Sequence, residues 1–271
     1  MMLLLLGCAG DGVKLDTGAG PTGPDYGWGP GACDGAAVAQ IYDPVDGWVL
    51  ANGASWRMEI ACEDDAVVTT VDRYEGGAPV RGDGSVRVTY ALEDDRFVTA
   101  TTTIYQDGDF VLSDWAPRLE YTYDGDRIDH TITTYLDPET EDWVLGATYT
   151  FATSVRADYT YVGDQLSAVI TTFYDGVDWY LGSEELYALS ERTGYTYLDG
   201  AIEHTLVKYY NGVEWYVGYV YTYDASVWTS YTWDGGRLAA TETQYYDGAS
   251  WSLSADAPYK LSTRVTYTWD D

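Results

Sequence analysis

Basic residues are scarce in this sequence: 14 Lys and Arg stand against 44 Asp and Glu, for a net charge of −30. Nucleic acid needs cations against its phosphates, so that class of partner is excluded. Docking of the protein body onto anionic lipid is disfavoured for the same reason. The excess acid suits solubility outside a cell, divalent cations or a basic partner. Histidine is reduced to His130 and His204, and no Gly-x-Ser-x-Gly elbow, His-Glu-x-x-His pair or phosphate loop occurs. Paired carboxylates could serve a glycosidase, yet among 44 acids such pairs are inevitable, and they fall in repeated turns. The expectation is a protein that is not an enzyme. Beyond the first ten residues, no stretch has the length and apolarity of a transmembrane helix.

Aromatic residues are abundant, at 15% with 27 Tyr, which argues against disorder despite the charge. They recur in phase. Tryptophan stands at Trp143, Trp179, Trp215 and Trp251, in steps of 36 residues. A second series, Tyr121-Thr122-Tyr123, Tyr159-Thr160-Tyr161, Tyr195-Thr196-Tyr197, Tyr231-Thr232-Trp233 and Tyr267-Thr268-Trp269, keeps nearly the same time. Two phased markers define a tandem repeat, so architecture is read from the repeat first.

Within a unit the residues alternate as a strand does. Ile128, His130, Ile132 and Thr134 fall on one side, and Asp129, Thr131, Thr133 and Tyr135 on the other. Asp175-Gly176, Asn211-Gly212 and Asp247-Gly248 mark hairpins that need positive φ. The long remainder, Trp143 to Tyr161, predicts two further strands, hence three per unit. The expected fold is all-β: tandem antiparallel repeats of 36 residues in a twisted or rolled meander sheet, with a β-propeller as the alternative. Charged and polar residues such as Lys208, Glu242 and Gln244 share a face with Ile132 and Ile170, which disfavours a lipid-facing barrel. Residues 121–271 carry the regular units and 31–120 degenerate ones, together one domain after a Gly/Pro-rich linker at 9–30.

Two sets of side chains invite a functional reading. Asp43 with Asp46, and Asp175 with Asp178, place acids three residues apart in short turns, as loops that hold calcium do; solvated turn residues are the plainer account. The phased tryptophans could stack on sugar rings, but a residue required in every unit is first expected to pack the sheet together.

Two resemblances add to this. Leu5-Leu6-Gly7-Cys8 resembles a bacterial lipobox, which implies a signal remnant at 1–8, acylation of Cys8 and, with Ala9 following, the outer membrane. In an exported chain the remaining pair, Cys33 and Cys62, suggests a disulfide, since both fall at similar places in successive units. Tyr231-Thr232-Trp233-Asp234-Gly235-Gly236-Arg237-Leu238 and Tyr121-Thr122-Tyr123-Asp124-Gly125-Asp126-Arg127-Ile128 resemble the tyrosine-aspartate (YD) repeats of RHS-type bacterial surface proteins. That likeness covers 121–271, extends to repeats in bacterial surface lipoproteins, and implies a β-rich extracellular scaffold. The expected function is a lipid-anchored, exported envelope protein that presents a surface for a glycan or protein ligand. A purely structural envelope component and a glycan-active enzyme are the alternatives.

Overall fold

The computed structural model describes residues 35–63, 65–94, 96–114, 116–147, 153–184, 188–219, 225–256 and 260–269. Among them there is no helix, and 14 long strands form one antiparallel sheet. In chain order these are β1 (Gly35–Asp43), β2 (Trp56–Glu63), β3 (Ala66–Glu75), β4 (Val86–Glu93), β5 (Arg96–Gln106), β6 (Pro117–Asp124) and β7 (Arg127–Leu136). Then follow β8 (Val155–Val162), β9 (Gln165–Tyr174), β10 (Glu191–Leu198), β11 (Ala201–Tyr210), β12 (Val227–Asp234), β13 (Arg237–Tyr246) and β14 (Thr263–Trp269). Each pairs with the next, and β14 pairs with β1 from Gly35↔Trp269 to Ile41↔Thr263. The sheet therefore closes into a barrel and leaves no edge. The twisted or rolled meander sheet and the propeller both give way to a closed barrel by that last pairing.

Each unit supplies two long strands, not three. Strand pairs β2/β3 through β12/β13 are hairpins joined by short turns, and β14/β1 makes a seventh from the two chain ends. The segment expected to hold a third strand instead makes a two-residue return onto its own hairpin. Trp143 and Val144 pair with Leu136 and Tyr135, and Trp179 and Tyr180 with Tyr174 and Phe173. With two strands per unit, every unit points the same way around the barrel.

Five of the seven hairpins share a bulge in their second strand. In β7 it falls at Asp129, because Ile128 pairs with Tyr123 while His130 already pairs with Thr122. The same shift lies beside Tyr161, Tyr197, Trp233 and Leu92. One extra residue reverses the faces. Ile128 thus joins Thr131, Thr133 and Tyr135, and leaves the face of His130, Ile132 and Thr134 on which plain alternation had put it.

A closed sheet crowds the side chains on its concave face, and the buried residues mark that face. Ala37, Met58, Ile60, Val67, Val88 and Tyr90 pack together from four neighbouring strands. Ile202 and Leu238 sit beneath Tyr195, Tyr197, Tyr231, Trp233 and Tyr267. Leu166 sits beneath Tyr159, Tyr161 and Tyr195. The Tyr-Thr-Tyr marker therefore roofs the apolar residue of the preceding hairpin: Trp233 Nε1 donates to Ile202 O at 2.8 Å and Trp269 Nε1 to Leu238 O at 2.9 Å. Loss of water pushes the Tyr121 phenol well above its ordinary pKa, and pushes Tyr123 and Tyr135 up to about 12. The inner wall is apolar and hydroxylic, while most of the strand charges face out.

Candidate functional site

The outer wall carries the repeat's second theme. The second residue of the hairpins' first strands is arginine in six units: Arg57, Arg87, Arg118, Arg156, Arg192 and Arg264. Position 228, the seventh equivalent, is Trp. Several of these arginines have a carboxylate within reach, as in Arg57–Glu59 at 3.2 Å, Arg118–Glu120, Arg156–Asp158 at 2.7 Å and Arg264–Glu242 at 2.7 Å. Three of them lie over an aromatic residue. Arg87 stands 4.1 Å from the Phe110 ring, Arg118 4.3 Å from Trp143 and Arg264 4.6 Å from Trp48. A guanidinium over an indole face, with its charge matched by a neighbour, forms a fixed polar ledge.

The phased tryptophans belong to these ledges. Trp179, Trp215 and Trp251 each pack against the tyrosine that ends their own hairpin, Tyr174, Tyr210 and Tyr246, at 5.4 Å between ring centres. Trp48 does the same with Tyr42 at 5.6 Å. All of them, with Trp143, are half-buried on the outside of the barrel. They clasp the hairpin tip and keep part of each ring in water.

The turns between tyrosine and tryptophan account for the paired acids. Asp43 Oδ1 accepts from the N–H groups of Val45 and Asp46 at 2.8 and 2.9 Å. Asp175 Oδ1 accepts from Val177 and Asp178, both at 2.8 Å. Those backbone donors hold the carboxyls of Asp43 and Asp175 below the ordinary range. Asn211, an uncharged amide, makes the same two bonds to Val213 and Glu214 at 2.9 Å. What the turn requires is an acceptor oxygen, not a charge. Among the described residues no group of three or more His, Cys, Asp or Glu is placed to hold a metal ion. The paired acids form Asx turns, with Asp46 and Asp178 supplying backbone N–H groups to them.

Cys8 and Cys33 lie outside the described residues, as does the linker. Cys62 is half-buried and faces inward near the short-turn end of β2. The two histidines stand apart, on β7 and β11. His130 Nδ1 is 2.7 Å from Asp129, and His204 stacks on Trp228 with ring centres 3.8 Å apart.

One series escaped the sequence reading. Ser55, Ser85, Ser154, Ser190, Ser226 and Ser262 are essentially without exposure, and the last four are spaced by 36. Each hydroxyl receives a backbone N–H across the loop before it: Gly146 to Ser154 and Gly182 to Ser190 at 2.9 Å, Gly218 to Ser226 at 3.0 Å. The backbone then ties the loop to the hairpin of its own unit, through Tyr174 N to Ser154 O and Tyr210 N to Ser190 O. Tyr42 N to Ser262 O repeats that bond across the junction of the chain ends. A third phased column, read beside the tyrosines and tryptophans, would have exposed these serines.

No family model and no curated protein matches the chain. Among solved structures it is similar to a porin-like protein from Bacteroides vulgatus ATCC 8482, with a TM-score of 0.41 and 13% identity over 85% of this chain and 93% of that one. A porin-like protein from Bacteroides uniformis ATCC 8492 gives a TM-score of 0.41 and 8% identity over 87% and 97%. The expected kinship with YD repeats of the RHS type is corrected by the sheet itself, whose repeats close into a ring; the solved structures that the chain is similar to are described as porin-like proteins.

Proposed function

We propose that the protein is an exported barrel, held at the bacterial envelope by a lipid on Cys8, whose outer wall presents a binding surface for a glycan or protein ligand. The observation that carries this reading is the row of half-exposed Trp and Phe ledges around the wall, most of them backed by tyrosine. An aromatic ring needed only for cohesion would be covered; these rings keep a wet edge beside polar groups, as recognition surfaces do. The arginine and carboxylate ring at the same level makes the wall a poor partner for lipid tails and a good one for water and polar ligands.

Two measurements test the reading. The purified full chain, applied to a glycan array, should bind a defined set of sugars; a blank array together with no retained envelope protein would leave only the structural role. Metabolic labelling with a fatty-acid analogue should mark the wild type and not Cys8→Ser, and equal labelling of both would remove the anchor.

A further inference from the structure

The outer ring is broken once, and the break coincides with other departures from the repeat. Trp228 occupies the arginine position, and where Arg118 covers Trp143 it packs instead on Trp251 with ring centres 5.6 Å apart. Its other neighbour is His204, stacked at 3.8 Å and 17°. Trp251 continues to Tyr246 at 5.4 Å, and Tyr246 to Tyr219 at 5.9 Å and 17°. Tyr219 is itself an exception, for Ala147 and Ser183 stand at that place in the two preceding units. It lies across Gly248, where a Cβ would come within 2.8 Å of its ring. Five rings thus run unbroken over one sector of the wall, and Tyr219 is 52% exposed.

Resting on the binding-surface reading above, we propose that His204, Trp228, Trp251, Tyr246 and Tyr219 form one carbohydrate-binding track for a neutral, extended oligosaccharide. Two stacked pairs at 17°, joined through Trp251 by tilts of 47° and 51°, give successive sugars a stepped apolar floor of ring faces and edges, and the surrounding polar groups meet the hydroxyls. Neutrality follows from the charge around the track. Glu203 lies 3.4 Å from His204, Asp247 opens the turn before Trp251, and Glu242 is matched by Arg264. The chain as a whole stands at −30, so an acidic polysaccharide would be repelled. Rings laid end to end along the wall match the repeating units of a glycan chain.

The test uses the full chain and hexasaccharides of cellulose, xylan, mannan and chitin, with binding read by calorimetry. Wild type should bind at least one of them. Trp228→Arg, which installs the residue that six other units carry at this place, should keep the thermal melt and weaken binding at least tenfold. Tyr219→Ser should weaken it severalfold, and Trp179→Ala, on a different ledge, should weaken it less than either. Retained affinity in Trp228→Arg, or equal loss in Trp179→Ala, overturns the track while leaving a glycan surface elsewhere on the wall. Failure of the wild type on the hexasaccharides and on the wider array overturns the glycan reading itself, and a protein bound at this sector instead overturns the track.

Discussion

A single hydroxyl sets the path of each long loop. The Ser190 side chain lies in the wall with no exposure and receives the Gly182 N–H, while Ser190 N donates to Gly182 O at 2.9 Å. Gly182 must be bare there, because a Cβ would stand 2.2 Å from Ala188 O. Alanine at 190 would strand a buried donor with no water at hand, which costs about 1–3 kcal/mol. Ser190→Ala is therefore expected to lower the unfolding free energy by that amount, read as a lower urea midpoint, and to speed hydrogen exchange at the Gly182 amide. An unchanged midpoint would mean that the loop holds itself. One unit dispenses with the hydroxyl, at Ala116, whose N–H donates to Ser113 O. The serines were invisible to a reading centred on large side chains, because burial of a small polar group leaves no mark in hydropathy. The Asp-Gly turns were legible, since the positive φ of Gly176, Gly212 and Gly248 is written in the residue type.

At the scale of the strand, composition and alternation revealed that the chain is β and where most long strands lie. They did not reveal which way each residue faces. A bulge adds one residue without any signature in residue type, so Ile128 and Leu166 turn inward against the alternation that precedes them. The number of long strands per unit failed for a related reason: residues 137–154 and their equivalents are rich in Trp, Tyr and Thr, the composition of strands, yet their described backbone bonds go to a hairpin tip, a serine or a pairing only two residues long. One expectation at this scale concerns the cysteines: Cys62 faces inward near the end of β2, the strand that pairs with β1. The Cys33–Cys62 bridge is expected in the exported protein, closing a loop of about thirty residues and contributing about 3–4 kcal/mol in the chain-entropy model. Thiol titration of the unreduced protein should find neither cysteine, and two reactive thiols would reject the bridge.

At the scale of the molecule, the repeat was read as an array with two ends, and the structure joins them. Nothing local announces closure, because it depends on the summed curvature of 14 strands and on the pairing of residues 35–41 with 263–269. The closed wall has a pH limit. Its inward tyrosines are neutral and dry, so their folded pKa values lie above the unfolded value of about 10. The stability they contribute is whole below pH 10 and is lost as pH rises from there toward about 12, where Tyr123 and Tyr135 ionise in the fold. Circular dichroism followed upward in pH should hold steady to pH 10 and collapse above it; collapse on the acid side of that point would place the weakness elsewhere.

Closure also makes the position of the chain ends arbitrary. In the seventh hairpin, Trp269 and Gly35 meet where the other units have a turn. If the units are equivalent, a turn built there can be exchanged for one removed elsewhere. A chain joined from Trp269 to Gly35 by an Asp-Gly turn and opened at Asp199-Gly200, a turn with positive φ at both residues, keeps every strand and every pairing. It is expected to fold as a monomer with the same β content and a melting temperature within a few degrees of the same residues in natural order. Removal of β1 instead leaves β2 and β14 as raw edges and should yield aggregates. Both chains conserve most of the contacts within hairpins, so the contrast isolates the closure. Equal aggregation of the permutant would show that the order of the units, and not the ring alone, is what the sequence specifies.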